Sequence, residues 1–229
     1  VTPTVRLSAR GSYVFRLDVV LNLRTAICTT NSTVTVFSTV SVEVRPTPTA
    51  TIGTTATVCQ GSSTNVVFTN PQAFPVTITY TLNGGADQTV NVGASTTANV
   101  AVPTGSVSTQ TYALKSIAYQ TAPLCTNTIS GSAVFTVRAT PTATIGTTAT
   151  ICQGTSTNVV FSTTSSLPVT ITYTLNGGSD LTVNVPANSS TNVAIPFNTP
   201  GTYTYALKNV FYQTAPTCTT TVSGSAVFT

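Results

Sequence analysis

A 93-residue unit occurs twice in this chain without a gap, and that duplication limits the fold more than any other feature. PTATIGTTATVCQG at 48–61 returns as PTATIGTTATICQG at 141–154. PVTITYTLNGG at 75–85 returns at 168–178, TYALK at 111–115 at 204–208, YQTAP at 119–123 at 212–216, and SGSAVFT at 130–136 at 223–229. Residues 1–45 read as the C-terminal half of a diverged copy. Val44-Arg45 matches Val137-Arg138 at the same offset, Tyr13-Val14-Phe15 resembles Tyr112-Ala113-Leu114, and Cys28 takes the part of Cys125. The expected organisation is a half repeat at 1–45, a first full repeat at 46–137 and a second at 138–229. The chain is expected to start midway through one repeat and to stop inside the last strand of another, as a segment of a longer array.

Each unit reads as β-structure. Val76, Ile78, Tyr80 and Leu82 share one parity and Thr77, Thr79 and Thr81 the other, the period-two pattern of a half-buried strand. Asn83-Gly84-Gly85 then turns the chain, because Asn and Gly tolerate positive φ. Further strands are predicted near 49–52, 55–59, 65–69, 88–92, 97–102, 111–119 and 130–137, and again 93 residues on. The chain is Thr-rich, and hydrophobic residues make up 41% of it, enough for packed cores. Seven or so short strands per unit, parted by Gly, Pro, Asn and Ser, predict an all-β fold of tandem immunoglobulin-like (PKD-like) sandwiches. The junctions Val44-Arg45-Pro46-Thr47-Pro48 and Val137-Arg138-Ala139-Thr140-Pro141 are short and proline-bearing, which predicts a stiff string of domains.

Composition narrows the function. Charged residues are 5% of the chain. Five arginines lie in the first 45 residues, and only Lys115, Arg138 and Lys208 follow, so no clustered basic surface exists for nucleic acid. No apolar run reaches the length of a membrane-spanning helix. Histidine is absent, which removes Ser-His-Asp and Cys-His catalysis and most zinc sites. Asp87 and Asp180 each follow an Asn-Gly-Gly turn singly, too few for paired-carboxylate chemistry or a calcium site. Lys115 and Lys208 read as solvent-facing strand residues, since a Lys–Asn cross-link also needs a buried acid. No enzyme activity, metal or cofactor is expected. Thr ladders on outer faces read as soluble β-formers rather than as an ice- or glycan-binding array. Tyr119 and Tyr212 are the candidate sugar-stacking residues, set against the alternative that they cover a sheet or a junction.

Five cysteines fit an oxidising, extracellular compartment. Bonds within each repeat, Cys59–Cys125 and Cys152–Cys218, are favoured, with the partner of Cys28 lying outside the chain. Such a bond closes a loop of about 66 residues and contributes about 4 kcal/mol in a chain-entropy model. Bonds between repeats, Cys28–Cys59 and Cys125–Cys152, remain the alternative.

The opening TPTATIGTTATVCQG, the YTLNGG hairpin and the closing GSAVFTV together resemble the tandem repeats of giant surface proteins of Bacteroidota, including gliding-motility adhesins of the SprB type. The resemblance covers 46–229 well and 1–45 loosely. It implies a secreted cell-surface protein exported by the type IX system, acting in adhesion or gliding, with no catalytic residues. The expected partners are neighbouring repeats of the same long chain, with surface glycans or self-association beside them. The competing readings are an extracellular filament or sheath, and a carbohydrate-binding module.

Overall fold

The computed structural model describes residues 5–7, 9–23, 32–53, 55–146, 148–195 and 199–229. Their regular structure is all strand. In chain order the strands are β1 (Gly11–Leu23), β2 (Ser32–Val44), β3 (Thr51–Ile52), β4 (Ala56–Cys59), β5 (Asn65–Thr69), β6 (Val76–Leu82), β7 (Asp87–Val92), β8 (Thr97–Ala101), β9 (Ser108–Tyr119), β10 (Thr126–Thr128) and β11 (Ser132–Arg138). The second repeat follows with β12 (Thr144–Ile145), β13 (Asn158–Ser162), β14 (Val169–Leu175), β15 (Asp180–Val185), β16 (Ser190–Ala194), β17 (Tyr203–Tyr212), β18 (Thr219–Thr221) and β19 (Ser225–Phe228).

Three-stranded sheets run β3-β5-β8 and β12-β13-β16. The larger sheets run β4-β11-β9-β6-β7, with β10 also on β9, and β15-β14-β17-β18, with β19 also on β17. Among the described residues the first full repeat carries nine strands and the second eight, against the seven or so expected. The opening strand divides into short pieces, and the closing strand breaks at Gly131 and Gly224, with φ of 145° and 147°. A Cβ at Gly131 would stand 3.4 Å from Leu114 Cδ1, so glycine serves both the backbone and the packing there.

By contacts the chain divides into two compact units, one made of 1–53, 67–100 and 113–132, the other of 54–66, 101–112 and 133–229. In the first, β1 and β2 form a long antiparallel hairpin with Gly11 opposite Val44 and Leu23 opposite Ser32. Strand β6 buries Val76, Ile78 and Tyr80 and leaves the intervening threonines half-buried, as its alternation predicts. Asn83 (φ 53°) and Gly84 (φ 68°) make the tight turn into β7, closed by a 2.9 Å bond from the Gly85 N–H to the Leu82 carbonyl. Phe68, fully buried, packs 4.8 Å from Tyr80 between ring centroids. Removing such a side chain from water contributes about 1.5–3 kcal/mol.

The second unit holds strands β12 to β19. Its core gathers Val159, Phe161, Val169, Ile171, Tyr173, Val185, Tyr205, Val210, Tyr212, Ala226 and Phe228. Phe161 packs 4.6 Å from Tyr173, repeating the Phe68–Tyr80 pair. In the same unit β4 runs parallel to β11, with Cys59 opposite Arg138. Ala149 makes the equivalent parallel bridge to Phe228.

Candidate functional site

Arg45, just after β2, and Arg138, the last residue of β11, each grip a loop of the repeat that follows. In the first unit the Arg45 side chain is only 8% exposed. Its Nε donates to Glu43 Oε1 at 2.9 Å, and Nη1 donates to both the carbonyl and the Oγ1 of Thr121 at 2.9 Å. The guanidinium lies 4.1 Å from the Phe74 ring centroid. Planar fork geometry and a weakly hydrated charge let arginine bind a carboxylate, a loop carbonyl and an aromatic face at once. Arg138 does the same work 93 residues on. Its Nη1 faces the carbonyls of Thr214, Ala215 and Pro216 at 3.2, 3.3 and 3.2 Å, and it lies 5.4 Å from the Tyr212 ring centroid. Thr136 and Leu167 stand where the first junction has Glu43 and Phe74, so this grip lacks both carboxylate and Phe.

Beside Arg138 the second unit holds a disulfide. Cys59 closes β4 opposite Arg138, and the Gln60 N–H donates to the Arg138 carbonyl at 2.8 Å. Arg138 draws in the loop through Pro216, and Cys218 lies two residues further on. The two sulfurs are bonded at 2.06 Å, with the Cα atoms 5.5 Å apart. Cys218 is buried, and Cys59 packs against the 138–229 core. The bond therefore runs from the first cysteine of one repeat to the second cysteine of the next, across 159 residues of chain.

This corrects both pairings drawn from sequence. Cys59–Cys125 and Cys152–Cys218 do not form, and Cys125 and Cys152 carry free thiols. Strand direction is the reason. The Ile151 N–H bonds to the Thr229 carbonyl, so Cys152 lies level with the end of the closing strand, while Cys218 lies at its beginning. Roughly 35 Å separates those two points at about 3.3 Å per residue. A disulfide needs Cα atoms within about 7 Å. The Cys125–Cys152 alternative also fails, and Cys28 lies outside the described residues.

The tyrosines proposed for sugar stacking are buried. Tyr119 and Tyr212 are each 2% exposed, so neither presents a ring face. The Tyr119 hydroxyl donates to the Pro46 carbonyl at 3.1 Å. Burial pushes its phenol up; Cys125 adds to that and Arg45 pulls the other way. Both rings brace a junction, the role given as the alternative for them.

Lys115 pairs with Asp87 at 2.7 Å and Lys208 with Asp180 at 2.6 Å, all four side chains about half exposed. These pairs are worth a few tenths of a kcal/mol. Among the described residues no group of three His, Cys, Asp or Glu could hold a metal ion, and no helix is long and apolar enough to cross a membrane. A cleft of about 400 Å³ opens beside Arg45, lined by Glu43, Gln72 and Phe74 among others. Sequence reading missed the two arginines as site residues. Their signal was present, since each ends SGSAVFTVR or its diverged counterpart at the same offset from a YQTAP loop.

No protein-family model and no curated sequence matches the chain. Among solved structures it is similar to a Ca²⁺-stabilised adhesin that helps an Antarctic bacterium reach out and bind ice, at 17% identity and a TM-score of 0.41, over 93% of this chain and 55% of that one. The chain thus spans about half the length of that adhesin structure. It is also similar to the BSP domain of a biofilm associated protein (19% identity, TM-score 0.27, 80% of this chain and 29% of that one). The class 5 fimbriae chaperone CfaA matches at 8% identity and a TM-score of 0.32, over 79% and 99%. Likenesses at these scores are general to all-β domains and assign neither ligand nor partner.

Proposed function

We propose that the chain is a structural repeat segment of a long secreted cell-surface adhesin or stalk, in which braced sandwiches hold a binding region away from the cell. The observation that carries this reading is the Cys59–Cys218 bond beside the Arg138 grip. A bond between successive repeats resists separation of those repeats under load. The free-energy scale supports a mechanical role: closing 159 residues contributes about 5 kcal/mol in the chain-entropy model. A disulfide of this kind belongs to an oxidising compartment, which supports a location outside the cell. The finer reading, a gliding-motility adhesin exported by the type IX system, rests on the sequence resemblance. Labelling intact source cells with an antibody to this segment, followed by electron microscopy, tests the proposal. Label on rods projecting from the surface is expected; label confined to the cell interior, or a compact particle, overturns it.

A second reading, a building block of an extracellular filament, is favoured by the β1–β2 hairpin. Its register puts Phe15, Leu17, Val19, Val36, Val40 and Val42 on one face, and Leu17, Val36 and Val40 are 66%, 55% and 57% exposed. In the second full repeat the counterparts of Val40 and Val42, Ala226 and Phe228, are buried in a core that Val159 and Phe161 of the small sheet share. The occupant this face suits is therefore the first half of another such repeat.

A further inference from the structure

Cys125 and Cys152 are free in a chain whose equivalent positions are bonded to each other. Cys152 is the counterpart of Cys59, and Cys125 that of Cys218, each at the repeat offset. Their settings match as well as their positions. The Cys125 N–H donates to the Pro123 carbonyl at 2.9 Å, and the Cys218 N–H to that of Pro216 at 2.8 Å. The Tyr119 N–H donates to the Cys125 carbonyl at 3.1 Å, and the Tyr212 N–H to that of Cys218 at 3.2 Å. On the other side, the Thr155 hydroxyl donates to the Cys152 carbonyl at 2.7 Å, as Ser62 does to Cys59 at 2.6 Å. Arg45 already holds Thr121, in the loop before Cys125, as Arg138 holds the loop before Cys218. Cys152 is exposed and Cys125 partly so.

We propose that Cys152 and Cys125 are half-sites of a periodic disulfide series, in which the first cysteine of every repeat bonds the second cysteine of the repeat after it. The proposal rests on reading the chain as part of a tandem array. The partner of Cys152 is a cysteine on a loop like 214–218 of a following repeat. The partner of Cys125 is a cysteine ending a strand like β4 in a preceding one. Each link closes by exchange with a small oxidised disulfide. The Cys152 thiolate attacks one sulfur of that disulfide and releases one small thiol. The partner thiolate then attacks the Cys152 sulfur of the mixed disulfide and releases the second. Two protein thiols are oxidised, one small disulfide is reduced to two thiols, and no other oxidant is needed.

The test extends the chain after Thr229 by one more copy of residues 137–229, in a Cys28→Ser background, folded in a glutathione redox buffer. Closure of Cys59–Cys218 reports correct folding. Non-reducing peptide mapping is expected to find Cys152 bonded to the second cysteine of the added copy, with Cys125 still a thiol. Cys152 bonded to Cys218, or left as a thiol while Cys59–Cys218 is closed, overturns the proposal. The unextended Cys28→Ser chain in the same buffer identifies the source. A covalent dimer joining Cys152 of one copy to Cys125 of another shows that a second chain can supply the repeat, and monomers assign the link to repeats of one chain. Dimers joined through two Cys152 residues overturn the series. Mapping reads linkage alone, so its failure leaves the surface-location test standing, and the reverse.

Discussion

The two junctions solve one problem with different chemistry. At Arg45 the grip is polar and aromatic: a carboxylate, a loop carbonyl and hydroxyl, and a Phe face surround a guanidinium that is nearly out of solvent. At Arg138 the carboxylate and Phe are gone, the carbonyl contacts are longer, and a disulfide stands beside them. A covalent neighbour reduces what the arginine must contribute, because the loop is already held close. The arginine is common to both junctions, and its partners differ.

The largest expected effect lies on the covalent side. Pulled end to end, the oxidised chain should extend about 55 nm less than the reduced one, since 159 residues are locked behind the bond at about 3.5 Å each. In thermal or denaturant unfolding, Cys59→Ser is expected to cost up to about 5 kcal/mol. Equal extension with and without reductant would break the distinction between the junctions. The next effect tests whether the repeats are otherwise alike. Phe68→Ala and Phe161→Ala should each cost about 3–5 kcal/mol, because both rings are fully buried against a tyrosine. Unequal losses measured by chemical denaturation would show that the cores, too, have diverged.

Smaller effects sharpen the contrast between the arginines. Arg45→Ala should cost about 2 kcal/mol, because it strips a buried-side charge from Glu43 and Thr121. Arg138→Ala should cost about 1 kcal/mol in the oxidised protein and more after reduction. Identical losses in both redox states would mean that the bond and the grip act independently. The last effect is an alkaline one. Burial raises the phenols of Tyr80, Tyr119, Tyr173 and Tyr205 above the ordinary value of 10.0; for Tyr205, the charges of Tyr173 and Tyr203 add to it. The unfolded chain therefore loses these protons first. Stability is fully present below pH 10 and falls as pH climbs through the folded-state values. A pH series of melting temperatures should be flat from pH 7 to 9 and drop beyond 10.

Strands were legible where side chains alternate. Val76-Thr77-Ile78-Thr79-Tyr80 specifies one buried face, and the structure places β6 there. Asn65–Thr69 was read at its observed bounds, while Thr126–Thr128 was missed because three polar residues carry no period. The disulfide was not legible for a different reason. Spacing counts residues along the chain, whereas pairing depends on which end of a sandwich each cysteine occupies. That follows from the parallel run of β4 beside β11, which places Cys59 level with Arg138. The arginine grips were hidden because a single Arg at a strand end has no pattern until its loop is known.

The closed ring has a consequence for damage. A protease that cuts the backbone once between Gln60 and Thr217 opens the ring without releasing either piece, because Cys59 and Cys218 still join them. Most single cuts in the two full repeats fall inside that interval. Repeats linked in this way stay joined after a cut that would separate an ordinary string of domains.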